Sequence, residues 1–427
     1  MNDNFQVLFR WLRKNSIVIA LMLVLPAPYL FSETVVLNYM DMYPYLRVVR
    51  DFSNHHLSLF FTETRTNLFP LILFVNFKLW GTDLMALKYL NIAVLAGLLI
   101  ECLILGKLLF KNNSGIITAI LVCTSYTFVH FVYFPHIDLL LLTALILCLI
   151  VLFVALERKP ESSAWMFFSG VLIGLSFLLK ESAIWLLFFT PVYLILRRAT
   201  FKQIVKKWCW QLLPLGLIAV PMIYAHHQAF YYRYIYKLIF WKALILSQDP
   251  ERLIDYANFV TRPDYSVLRV FTFPLAPVFW QWDSMFPVPD ILIVSEQILI
   301  LTAGLCYFLK KTPETETKMF LLAIFIVFLP RYIVVAISGY KIRQVLITFF
   351  IFYPILGNLL YNSGIRMKTA LLPYTQLQRV QASMVLLMLA FYFIRMLFLT
   401  EGIAYTLHSA EFHYQRRVVL PLHAEIK

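Results

Sequence analysis

The chain has 427 residues, of which 61% are hydrophobic and only 14% charged, and its mean hydropathy is +0.75. A soluble domain carries about a quarter charged residues, so this composition excludes a surface clothed in water and leaves most of it to lipid. The formal charge of +14 comes without a basic stripe interleaved with aromatics, which excludes nucleic acid as the partner; Lys and Arg gathered in cytoplasmic loops account for it.

The first apolar run, 15–32, follows Arg10, Arg13 and Lys14. No small-x-small cleavage site comes after it, so it reads as a span rather than a leader. Further runs long enough to cross a bilayer fall at 84–108, 115–133, 137–156, 164–180, 182–196, 210–226, 290–309, 318–337, 344–361 and 382–400. A hydropathy window fuses 164–180 with 182–196. The polar trio Lys180, Glu181 and Ser182 separates them, because one helix would far exceed the roughly 20 residues a bilayer needs. The expected fold is therefore an all-α polytopic membrane protein with about 11 transmembrane helices.

Positive charge sets the orientation. With the N-terminus inside, the inner loops carry Lys107 and Lys111; Arg158 and Lys159; Arg197, Arg198, Lys202, Lys206 and Lys207; Lys310 and Lys311; Arg366, Lys368 and Arg379. The short outer connections at 134–136, 180–182 and 338–343 are poorer in cations. The sequon Asn112-Asn113-Ser114 falls inside and stays unmodified.

The chain divides into an N-terminal transmembrane module, 1–226, whose first outer loop is 33–83, an outer segment 227–289, C-terminal helices over 290–400 and a short outer tail, 401–427. The 227–289 segment mixes aromatic and basic residues, among them Tyr231, Arg233, Tyr236 and Trp241, a composition suited to helices lying in the interface. The five cysteines have no CxxC spacing and lie in or beside apolar runs, so they read as small core residues.

The unusual polar residues gather at outer ends. Asp41 follows the first span. Asp138 opens the fourth, within Pro135-His136-Ile137-Asp138. Lys180 and Glu181 join the fifth and sixth, and Tyr340, Lys341 and Arg343 precede the tenth. Each has an ordinary structural role open to it: a solvated acid, a helix N-cap, a polar turn, a snorkelling anchor. Ionisable groups at membrane depth are costly and often functional, and several spans deliver theirs to one face.

The order of these features resembles the GT-C glycosyltransferases, in the branch of protein O-mannosyltransferases and aminoarabinose transferases. The similar stretches are Asp41-Met42-Tyr43 through Arg47, Arg50 and Asp51; Asn67-Leu68-Phe69-Pro70-Leu71 to Trp80-Gly81; Asp138; Gly170, Gly174, Leu175 and Lys180; and Lys341, Arg343 and Pro354. The family's Asp-Glu pair is here Asp41-Met42. The resemblance implies a polyprenyl-phosphate sugar donor, transfer on the extracytoplasmic side and a multi-pass protein of a bacterial inner membrane. It assigns catalysis to Asp41 and Asp138, and donor phosphate binding to Arg343, Lys341, Lys180 and Tyr340. Tyr43, Glu181 and His136 fall to acceptor support, and a divalent metal ion, if one is used, to Asp41 and Asp138. Partners are then the lipid-linked donor, membrane lipids and a lipid, glycan or protein acceptor. A non-catalytic relative, hinted at by Met42 alone, is one alternative; the competing class is a transporter or flippase of a lipid-linked substrate. That class places substrate groups near the midplane and does not explain polar residues on one face.

Overall fold

A computed structural model describes residues 16–31, 68–81, 84–125, 137–225, 290–309, 315–338 and 346–371, with isolated positions between 42 and 50 and between 128 and 132. Among these residues every regular element is helical. In chain order they are α1 (Ser16–Val24), α2 (Leu68–Trp80), α3 (Leu84–Phe110), α4 (Ser114–Thr124), α5 (Ile137–Phe153), α6 (Ser163–Leu179), α7 (Phe189–Leu196), α8 (Phe201–Ala225), α9 (Asp290–Leu309), α10 (Thr315–Ser338), α11 (Leu346–Phe350) and α12 (Phe352–Leu371). A 3-10 turn at Ala27–Phe31 extends α1, a π turn at Val154–Arg158 extends α5, and a 3-10 stretch at Glu181–Phe188 leads into α7.

Two stretches among the described residues, Met85–Phe110 and Ile137–Arg158, are long and apolar enough to cross a membrane. At 26 and 22 residues and about 1.5 Å per residue they exceed the roughly 30 Å hydrocarbon core. Helices form along the other expected spans that the structure describes, several of them shorter than the apolar run that suggested them. The third run in the chain, 115–133, is an example of a shorter helix, since α4 stops at Thr124. The expected span 382–400, the outer segment 227–289 and the tail lie outside the described residues.

The separation expected at Lys180 is present. Its backbone is extended, with φ −158° and ψ 133°, and ends α6; the Lys180 N–H still donates to the Ser176 carbonyl at 3.0 Å. One helix, α2, falls within the first outer segment, 33–83, on the apolar stretch that carries the family resemblance. In α2, Pro70 occupies the first turn, where its missing N–H costs nothing, and Gly81 beyond the end adopts φ +83°, the left-handed conformation that closes helices.

Small residues sit where helices touch, as membrane packing favours. Gly106 of α3 meets Gly115 of α4, where an added Cβ would lie 2.4 Å from the Gly115 nitrogen. Gly170 of α6 lies under Gln211 of α8, where a Cβ would come within 2.1 Å of the Gln211 carbonyl oxygen. Gly357 of α12 packs on Ser114 and Thr118. An aromatic cluster joins α5, α7 and α10: the Phe320 ring centroid is 5.0 Å from Phe153, 4.9 Å from Phe189 and 5.7 Å from Tyr193. The cysteines depart partly from expectation. Cys102, Cys123 and Cys148 are buried, whereas Cys209 and Cys306 are exposed, because α8 and α9 turn those faces away from the bundle.

Hydrogen bonds between distant elements sort the helix ends into two groups. In one, the Tyr29 hydroxyl donates to the Cys123 carbonyl at 2.7 Å and Asn91 donates to the Phe131 carbonyl at 2.7 Å. In the other, Asn112 donates to Asn358 at 2.8 Å, Thr317 to the Leu109 carbonyl at 2.7 Å and Tyr193 to Glu157 at 2.5 Å, while Arg197 lies 3.6 Å from Glu157 and 3.5 Å from Glu316. The second group joins only ends that the charge bias assigns to the cytoplasm, and the first only ends it assigns to the opposite side.

Candidate active site at the outer helix ends

The first turn of α5 carries Asp138, and the residue after α6 is Lys180. The two helices run antiparallel, so the positive N-terminus of one lies beside the negative C-terminus of the other. An acid suits the first and a cation the second. The side chains complete the match: Lys180 Nζ donates to Asp138 Oδ1 at 2.5 Å. The Asp138 side chain is 2% exposed and that of Lys180 20%. A carboxylate that deeply buried stays charged only if it is paired, and this ammonium pairs it. Glu181 begins the 3-10 stretch directly after Lys180 and is half-buried.

Of the residues expected at the site, the structure thus joins Asp138 to Lys180 and sets Glu181 beside them. Asp41, Tyr43, His136, Tyr340, Lys341 and Arg343 lie outside the described residues. Met42 is described, and it is fully buried within the hydrophobic core. Nearby, Tyr45 meets Phe69 of α2 edge-to-face, with ring centroids 5.0 Å apart. The position that carries Glu in the resembling branch is here a packing position, and it offers no oxygen to a cation. Among the described residues no three His, Cys, Asp or Glu side chains gather as a metal site. Asp138, one of the two acids named for a divalent ion, bonds to the Lys180 ammonium, and Asp41, the other, lies outside the described residues.

Two ionisable residues within the second apolar run went unremarked in the sequence reading. Lys88 of α3 is completely buried and engaged with its surroundings. Gly97 of α3 faces Thr143 of α5, with 3.9 Å from an ideal Cβ to Thr143 Cγ2. If both helices run in the direction the charge bias assigns them, Asp138 is about level with position 92 of α3. Lys88 then sits about 6 Å further out, one turn beyond the bonded Asn91. Glu101 is also buried, deeper along α3, and its Oε2 has no hydrogen-bond partner among the described residues. The signal available in sequence was simply a charge inside an apolar run.

Residues 65–224, which run from just before α2 to the end of α8, match the family described as dolichyl-phosphate-mannose-protein mannosyltransferase. That match bears out the GT-C resemblance over the segment holding Lys88, Asp138 and Lys180. Among solved structures, the crystal structure of ArnT from Cupriavidus metallidurans bound to undecaprenyl phosphate is similar, at 14% identity and a TM-score of 0.49, over 97% of this chain and 74% of that one. No curated protein matches the chain significantly.

Proposed function

We propose that this protein is a GT-C membrane glycosyltransferase that moves a sugar from a polyprenyl-phosphate donor to an acceptor hydroxyl at the extracytoplasmic face. The family match over 65–224 supports the class. The observation that carries the site is the buried Asp138–Lys180 pair at the end of the bundle away from the cytoplasmic cations. Such a pair at a membrane surface suits a lipid-linked anion, whose tail lies in the bilayer and whose phosphate lies at the helix ends.

In this reading the acceptor oxygen attacks the anomeric carbon as the bond from that carbon to the phosphate oxygen breaks. The electron pair leaves with the polyprenyl phosphate, and the acceptor proton passes to Asp41 as general base. Inversion follows from a single displacement. The departing phosphate needs charge stabilisation rather than a strong acid. Arg343 supplies a bidentate fork, with Lys341 and Tyr340 beside it. Lys180, held in place by Asp138, adds an ammonium charge to the phosphate side. Asp138 then acts as a positioning residue. Tyr43, Glu181 and His136 line the acceptor side, and the 227–289 segment covers the cavity. The membrane is a bacterial inner membrane.

Binding of a polyprenyl phosphate to the purified protein tests the donor class. Arg343→Ala should weaken it at least tenfold, because a charge-assisted fork is lost. Equal affinity in wild type and variant removes Arg343 from the site, and failure of the wild type to bind removes the donor class.

A further inference from the structure

The face of α8 turned away from the bundle has no role in sugar transfer. Phe201, Val205, Cys209, Leu213, Leu217 and Tyr224 are exposed along it, most of them four residues apart, in a stripe that winds slowly round the helix. Phe201 and Tyr224, at its two ends, are each 81% exposed. The 23 steps between them span about 35 Å, close to the thickness of a bilayer's hydrocarbon core. A stripe of that length and chemistry places this side of α8 against acyl chains from one interface to the other.

The cytoplasmic end of the stripe carries a second ridge. Lys202 and Lys206, one turn apart, run directly beside Phe201 and Val205 and are exposed; Arg198, also exposed, precedes the helix. No Asp or Glu occurs anywhere from Thr190 to Ala225. The neighbouring basic residues are differently engaged. Arg197 reaches Glu157 and Glu316, and Lys207 is half-buried, with burial lowering its ammonium against the pull of Glu161 and Glu157. The start of α8 is fixed by a reciprocal cap: the Gln203 N–H meets Thr200 Oγ1 at 3.4 Å and the Thr200 N–H meets Gln203 Oε1 at 3.2 Å. Lys202 and Lys206 therefore lie in the first two turns, where the helix dipole disfavours cations. A cytoplasmic loop needs positive charge to set topology. It does not need that charge on a fixed helix end, beside an exposed Phe and against the dipole.

We infer that Arg198, Lys202 and Lys206 form a binding site for the headgroup of an anionic phospholipid of the cytoplasmic leaflet, with Phe201 and Val205 against its acyl chains. The lipid supplies the negative charge that this stretch of chain lacks, at the depth where the apolar stripe ends. The site is independent of the sugar-transfer reading and lies at the opposite end of the bundle.

The test uses the purified full-length protein in a neutral detergent. Phosphatidylglycerol and phosphatidylcholine of equal chain length are titrated while retained lipid is counted by native mass spectrometry. Thermal unfolding is followed in parallel. Each cation near an anionic surface contributes about fivefold in affinity, so Arg198→Gln/Lys202→Gln/Lys206→Gln should lower phosphatidylglycerol retention by about a hundredfold. Its unfolding midpoint in phosphatidylcholine should stay at the wild-type value, because all three side chains are exposed. Phe201→Ser should weaken the lipid while sparing any effect of inorganic phosphate. Equal phosphatidylglycerol retention in the triple variant overturns the inference. So does equal protection by phosphatidylcholine, which would leave only apolar contact. Complete displacement by inorganic phosphate, with no dependence on the acyl chain, overturns it in favour of a free-anion site.

Discussion

Replacing Lys180 by Met keeps most of the side chain's volume and removes its charge. Asp138, 2% exposed and bonded to that ammonium at 2.5 Å, would be left as a buried carboxylate without its counter-charge. Breaking one side of a buried pair costs about 3–5 kcal/mol. The Lys180 side chain is 20% exposed, so water screens part of the interaction, and the lower end, about 3 kcal/mol, is the expected value. Asp138→Asn should cost less, about 1–2 kcal/mol, because the orphaned ammonium is the partner with access to water. Combining the two changes removes both charges, so the double variant should be more stable than Lys180→Met alone. Reversible unfolding in mixed micelles measures all four corners of the cycle. A Lys180→Met protein as stable as wild type, or a double variant showing the simple sum of the two losses, would refute the claim that the pair holds α5 to α6.

Other consequences follow from single contacts. Gly170→Ala places a Cβ about where the Gln211 carbonyl stands; α6 and α8 must separate, at a cost of about 1–3 kcal/mol, read as an earlier unfolding midpoint. Tyr193→Phe removes the bond to Glu157 that ties α7 to the π turn after α5. A hydrogen bond to a charged group contributes about 1.5–3 kcal/mol, so the same assay should show a loss of that order, with donor binding at the far end unchanged. Single cysteines near positions 45 and 240, in an otherwise cysteine-free chain, should label from the extracytoplasmic side, and labelling from opposite sides would break the topology.

Much of the fold was legible because its signals are local. The trio Lys180-Glu181-Ser182 interrupts an apolar run and does end a helix. The Lys/Arg bias separated the helix ends into the two groups that Asn112–Asn358 and Tyr29–Cys123 then close. Helix α2 lies inside the expected outer loop 33–83, with Pro70 in its first turn and Gly81 just past its end, positions that a helix tolerates. At the site, Asp138 and Lys180 were each singled out, but not as partners. They are 42 residues apart, and only the antiparallel packing of α5 on α6 brings them together. Lys88 was passed over because 26 residues of apolar character surround it, and hydropathy averages such a charge away. Met42, noted as a departure from the family's acid, turned out to be core.

The central claim is that the outer helix ends transfer sugar from a polyprenyl phosphate with Asp41 as base. Its most direct test needs no knowledge of the sugar: purified protein is supplied with a lipid extract containing polyprenyl-phosphate sugars, and release of free polyprenyl phosphate is followed with and without acceptor extract. The account predicts acceptor-dependent release by the wild type and a loss of about a hundredfold to ten-thousandfold in Asp41→Asn, with donor binding retained. Release by Asp41→Asn at the wild-type rate would contradict it.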